Sequence, residues 1–252
     1  PGGASKLRGA VQWLEMDLWG KPCRAACGAL IARQYYEATE EMNFDLDLAL
    51  QYLLLTLGVF RGRVIPIEPA VEAPLLIYTD AATEAPCPSG LRCGAVVYSP
   101  RGTFCMSFDV PEFLVAFWKQ RKTYIIMAEL LVVPVVAVAA PWLLAHQDVL
   151  WFVDNQAALC SIVKSGSTAR DQAELALLTN LAMAAAEARV WFEYVPSRLN
   201  ISDPLSRGGF EGPVVMEMVA EQHWIRLDLD IPRKVFMMGL AAAGEYIAAQ
   251  AQ

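Results

Sequence analysis

The chain has 252 residues, 56% of them hydrophobic, with 27 acidic against 20 basic side chains and a net charge of -7. A mean hydropathy of +0.34 supplies enough apolar matter for a substantial core and excludes extended disorder away from the ends. The acidic balance argues against a free, non-specific nucleic-acid binder, which would be basic, but leaves room for an enzyme with a local basic groove.

The first 60 residues read as helical. Leu7, Val11, Leu14 and Leu18 recur on one helical face, and Trp13 and Trp19 add bulk. Gly20-Lys21-Pro22 breaks the pattern. A second helix is expected over 23–38 and a third over 46–57, with Asn43 and Asp45 as cap candidates. Arg61-Gly62-Arg63 is a small basic knot, and Pro66, Pro69 and Pro74 mark an extended linker. That linker divides the chain into a helical extension at 1–70, a central domain at 71–210 and a helical tail at 211–252.

Beyond the linker the period changes. Strands are expected at 75–79, 93–99 and 103–110, with Pro100-Arg101-Gly102 as a tight hairpin between the last two. An apolar helix from Tyr124 to about Leu144 should kink or end near Pro134 or Pro141. A fourth strand at 149–153 runs into Asp154, followed by a short helix at 156–163. Thr168 and Asp171 have the spacing of a capping box opening a helix to about Ala188. A fifth strand covers 190–195, and Pro196-Ser197-Arg198 turns the chain into a segment carrying Asp203. Hairpins imply antiparallel pairing and strand–helix–strand crossovers imply parallel pairing. The expected fold class is therefore α/β, with a mixed five-stranded sheet flanked by helices.

Four acids stand out. Asp80 follows the apolar run Leu75-Leu76-Ile77-Tyr78-Thr79, Asp154 follows the fourth strand, Glu129 lies one turn into the apolar helix, and Asp203 follows the fifth strand. Phosphodiester hydrolysis needs an activated water and charge neutralisation on the phosphoryl group, which two magnesium ions about 3.5–4 Å apart supply. Magnesium takes hard oxygen ligands, so carboxylates on rigid elements are the matching protein part. Each acid also has a plainer explanation: a strand-end Asp serves turns, and Asp203 before Pro204 serves as a helix cap. Glu129 is the hardest to explain away, because an acid in so apolar a helix needs a partner or a metal.

The motifs YTDAA at 78–82, MAELL at 127–131, VDNQAAL at 153–159 and NISDPLSR at 200–207 together resemble the ribonuclease H domain carried by reverse-transcriptase retroelements. The last is similar to the Asn-x-x-Asp-x-Leu-Ser-Arg ending common in that family. The resemblance covers about 75–208. It implies a ribonuclease H-like fold, with Asp80, Glu129, Asp154 and Asp203 binding two Mg2+ ions (Mn2+ as a substitute) and cutting the RNA strand of an RNA–DNA hybrid. It also implies a reverse-transcriptase domain in the same polypeptide, with the helices at 7–60 as a thumb or connection remnant. One departure is visible: many members carry a histidine in the loop before the last acid, and Pro196-Ser197-Arg198-Leu199 has none. Arg198 can contact phosphate but cannot act as a base. Arg92, Arg101, Asn155, Lys164 and Arg170 are further candidates for nucleic-acid contact, each with an ordinary solvated or turn-shaping role as the alternative. Asn200 reads as a turn residue. Trp118, Trp142, Trp151 and Trp191 read as core.

The six cysteines include no C-x-x-C pair, and with only two histidines a zinc cluster is not expected. They read as reduced thiols of an intracellular compartment, cytoplasm or nucleus. Pro1–Ser5 lacks the apolar run of a signal peptide, and a first residue other than Met suggests part of a longer polypeptide. Three other functions compete with the nuclease. A catalytically inactive ribonuclease H-like scaffold is favoured by the acidic charge and the missing histidine. An integrase, transposase or resolvase is disfavoured by the 200–207 ending. A membrane protein would use 125–145 as a span, which Glu129, Pro134 and Pro141 oppose, so no membrane partner is expected.

Overall fold

The computed structural model of the chain describes residues 2–16, 23–37, 39, 41–60, 73–83 and 85–250. The break at Gly20-Lys21-Pro22 and the basic and proline-rich stretch from Arg61 to Pro69 lie outside the described residues. Three helices come first: α1 (Gly2–Met16), α2 (Arg24–Tyr35) and α3 (Phe44–Val59). Asn43 caps α3 by accepting from the Leu46 N–H at 2.9 Å, while Asp45 lies in its first turn.

Strands β1 (Leu75–Thr83), β2 (Leu91–Ser99) and β3 (Gly102–Asp109) form an antiparallel meander. Helices α4 (Glu112–Phe117), α5 (Ile125–Ala139) and α6 (Pro141–Leu144) lead to β4 (Asp148–Val153). Helices α7 (Gln156–Val163) and α8 (Arg170–Ala185) then lead to β5 (Arg189–Tyr194). The chain continues through α9 (Asp203–Gly208), α10 (Pro213–Glu221), β6 (Ile225–Arg226), α11 (Asp230–Met237) and α12 (Leu240–Ala249). The sheet order is β5-β4-β1-β2-β3-β6, with β4 parallel to both β1 and β5. It has six strands where five were expected. The sixth is a two-residue strand parallel to β3, too short to show a period of two.

Helix α5 is the centre of the core. Every residue from Met127 to Val138 is buried, so it has no solvent face. It packs against β1 and β2 on one side and against α8 on another. Pro134 stays inside the helix, which ends at Ala139; Pro141 then opens α6 at a first-turn position, where its missing N–H costs nothing. The 15 residues of α5 span only about 22 Å, and no helix among the described residues is long and apolar enough to cross a membrane.

The two sheet faces carry different cores. Ala95, Val97, Phe104 and Met106 belong to the large apolar cluster of α5. The intervening Val96 and Cys105 join Leu205, Val215 and Trp224 in a second, smaller cluster beneath α9 and α10. Val11, Leu30 and Tyr52 of the first three helices belong to the same cluster as Ile77 and Met127. Of the tryptophans expected in the core, Trp151 and Trp118 are buried, whereas Trp142 and Trp191 are about half exposed. Trp191 lies on edge strand β5, whose outer side no further strand among the described residues covers.

Candidate metal centre

The register of the parallel β1–β4 pair sets Thr79 opposite Val153, so the next residue of each chain, Asp80 and Asp154, emerges at the same level. Asp80 does not end its strand, as the sequence suggests: β1 continues through Ala81, Ala82 and Thr83 against Cys93, Arg92 and Leu91 of β2. Glu129 enters from α5, and its Oε1 accepts the Ala81 N–H at 3.2 Å. Carboxylate oxygens of Asp80, Glu129 and Asp154 all lie within 4.8 Å of one another. Asp80 and Glu129 are buried and Asp154 is half-buried.

The fourth predicted acid stands slightly apart. Asp203 is the first residue of α9, and both its oxygens accept from Arg207 Nε, at 2.8 and 2.9 Å. It is outside the three-residue group, yet its charge still reaches Asp80. It is not the helix cap of its plainer reading: Ser202 holds the N-cap position, without a side-chain capping bond.

Asp80 is held by groups that the sequence alone presents as turn formers or leaves unmarked. Ser206 Oγ donates to Asp80 Oδ2, and Asn200 Nδ2 donates to the Thr79 carbonyl at 3.0 Å and to Asp80 Oδ1 at 3.5 Å. Ser202 Oγ in turn donates to Asn200 Oδ1 at 2.7 Å, fixing the amide's orientation. All three residues are buried. They belong to the NISDPLSR segment, which was the available signal. Gly94 lies opposite Asp80 on β2. A Cβ there would stand 2.7 Å from Leu205 Cβ and from the Ser206 backbone nitrogen, so only glycine lets α9 close on the sheet.

The electrostatics of this cluster favour a cation. Burial, then the charges of Asp80 and Asp154, push the Glu129 carboxyl well above its ordinary range. Burial is also the main cause raising Asp80 to about 8, with the Ser206 hydrogen bond opposing it and Asp154 and Asp203 adding to it. Glu129 Oε2 is buried with no hydrogen-bond partner among the described residues, an arrangement that costs free energy unless a proton or a metal satisfies it. The donors are all hard oxygens, a set that suits a hard divalent cation. These three residues can therefore hold a metal ion.

A pH dependence follows. A carboxyl raised in the folded state binds its proton more tightly there than in the unfolded chain, so the stabilisation is complete below the unfolded value near 3.8 and is lost as pH rises toward about 8. The metal-free protein is expected to melt several degrees lower at pH 8 than at pH 5 in chelator, and added Mg2+ should remove most of that loss. A metal-free melting temperature that rises over this interval would contradict the assignment.

The other predicted contacts are spread over the molecule. Arg92 is paired with Asp109 at 2.6 Å. Arg101 sits in the β2–β3 hairpin, at the end of β1 opposite Asp80, with its guanidinium over Trp142. Arg170 pairs with Asp45 and covers Phe44. Asn155 caps α7, accepting from the Ala157 and Ala158 N–H groups. Arg198 and Lys164 are exposed, and of the two Arg198 lies closer in sequence to the Asn200 that holds Asp80. The capping box expected at Thr168 and Asp171 does not form: α8 has Ala169 at its cap without a side-chain bond. Asp171 instead binds Arg121 and the Lys119 N–H. Cys87, Cys93, Cys105 and Cys160 are free thiols. The chain matches no protein-family model and no curated protein.

Proposed function

We propose that the chain is a metal-dependent endonuclease of the ribonuclease H type, which cuts the RNA strand of RNA–DNA hybrids. The observation that carries this reading is the buried Glu129 Oε2, unpartnered beside Asp80 and Asp154. Supporting it are a mixed sheet with three antiparallel strands followed by parallel ones, helices on both faces, and the four motifs on the elements a ribonuclease H-like fold needs.

Asp80, Glu129 and Asp154 would hold one ion, and Asp203, whose carboxylate now pairs with Arg207, would offer a ligand to a second. When bound, the ions supply an acidified water and neutralise charge on the phosphoryl group. The chain's own groups keep the carboxylates aimed: Ser206 and Asn200 fix Asp80, and the Ala81 N–H fixes Glu129. Arg198, exposed in the turn before Asn200, would contact a substrate phosphate. The reading includes a reverse-transcriptase domain in the same polypeptide and an intracellular, reducing location.

A labelled RNA–DNA hybrid incubated with Mg2+ or Mn2+ tests the reading, with Asp154→Asn as the comparison. Wild type is expected to cleave, and the variant to lose about three orders of magnitude in rate, since a weakened metal site forfeits several kcal/mol of transition-state stabilisation. A folded wild-type sample inert with both metals would sink the enzyme reading. The Asp203–Arg207 pair favours a second reading, a catalytically inactive scaffold or interaction module of the same fold, and that outcome would leave it standing.

A further inference from the structure

Between α4 and α5 runs the segment Lys119-Gln120-Arg121-Lys122-Thr123, three cations in four residues within an acidic protein. An ordinary run of surface charge is loosely tethered, but this one is built in. At its base the buried Trp118 ring lies 5.9 Å from that of Tyr124, closing the loop's two ends on each other. At its tip Asp171, only 9% exposed, accepts from the Lys119 N–H at 2.8 Å and from the Arg121 guanidinium. Arg121 Nε also donates to the Lys119 carbonyl at 3.0 Å. Arg121 is thus used internally, as a clasp.

What the clasp presents is Lys119 and Lys122. Both are exposed, and neither has an ion-pair partner among the described residues. Phe117, just before them, leaves its ring 81% exposed, an apolar face beside two free cations. Free cations on a fixed loop suit contacts to backbone phosphates, which Lys and Arg make without reading sequence.

The position fits as well. Glu129 lies near the start of α5 and meets Ala81 at the carboxyl end of β1, so the loop that precedes α5 stands at the same end of the sheet as the carboxylates. Three extended residues and one helical turn separate Lys122 from Glu129, a reach of at most about 17 Å. At about 3.4 Å per base step, that is within about five steps of a bound duplex.

We propose that the 119–122 loop is a fixed cationic arm that grips the phosphate backbone of the duplex acted on at the carboxylate cluster. The proposal rests on the nuclease reading. Its contacts are sequence-independent, as phosphate contacts are. Holding the loop backbone at Asp171 spares its share of the ordering cost of binding, leaving only the two lysine side chains to be ordered.

The test is fluorescence anisotropy of a labelled RNA–DNA hybrid in chelator, across a salt series, with the 252-residue chain and its Lys119→Ala/Lys122→Ala variant. Two lost phosphate contacts should weaken binding roughly tenfold near 0.1 M salt and flatten the slope of log affinity on log salt by about 1.8. Cleavage lost in the variant should return as the hybrid concentration is raised. Both lysines are surface residues, so the variant should melt as wild type does; a Lys119→Arg/Lys122→Arg variant should keep the affinity and the slope. Equal affinity and slope in the alanine variant, with wild type cleaving, overturn the arm and leave the nuclease reading intact. A wild type that binds the hybrid but never cleaves it overturns the nuclease reading, while the slope still decides the arm.

Discussion

Glu129→Gln is expected to abolish both metal-dependent cleavage and the rise in melting temperature caused by Mg2+ or Mn2+, while making the metal-free protein more stable. The two effects have opposite signs for one reason. In the wild type the Glu129 carboxyl is buried in a helix with no solvent face, its Oε2 has no partner among the described residues, and Asp80 and Asp154 crowd it. Without metal the site must either keep protons or hold negative charges together out of water, and both are costly. Glutamine has the same shape, still accepts the Ala81 N–H through its oxygen, and turns an amide N–H toward the neighbouring carboxylates. The gain should be about 1–3 kcal/mol, or about 2–10 °C in a domain of this size, and should grow with pH because the wild-type penalty grows with pH. Differential scanning fluorimetry with chelator and with each metal reads both effects. A glutamine variant that is destabilised without metal, or that still shows the full metal shift, would remove Glu129 from the centre.

The same residue shows how much was legible beforehand. An acid flanked by Met127, Ala128, Leu130 and Leu131 violates the rule that apolar helices exclude charge, and such violations mark sites. Asp80 and Asp154 were legible for a related reason: each follows a buried β-run, and the parallel register sets them at one level although β1 runs on to Thr83. Three-dimensional facts were harder. Asn200 and Ser206 have sufficient local explanations as turn and helix-start residues, so nothing in the chain announces that both reach 120 residues or more back to Asp80. Asp171 has the spacing of a cap and is used elsewhere. Arg101 is as basic as Arg198, and only the direction of β2 places it at the far end of the sheet. Strand β6 is held by its pairing to β3, which two residues cannot encode.

Gly94→Ala is the second large effect, and it tests whether α9 positions the centre. The added methyl would stand 2.7 Å from Leu205 Cβ, 2.7 Å from the Ser206 nitrogen and 3.0 Å from the Leu205 carbonyl carbon. Two of these are backbone atoms, so no rotamer change relieves the clash; the helix itself must move off the sheet. Overpacking of this kind costs about 1–3 kcal/mol. Moving α9 also breaks the Ser206–Asp80 bond and the Ser107 Oγ bond to the Leu205 carbonyl, 2.8 Å long, and carries Asp203 away from Asp80. A displacement on the order of 1 Å in a reacting constellation costs about a hundredfold in rate. Cleavage should therefore fall by about that factor even below the variant's melting temperature, whereas Ser206→Ala, which keeps α9 in place, should lose much less. Trimming Leu205 to alanine alongside Gly94→Ala should not restore activity, because its Cβ and backbone remain. A Gly94→Ala protein with wild-type cleavage would mean that α9 is packing alone, and that Asp80 is oriented by β1 and Asn200 without it.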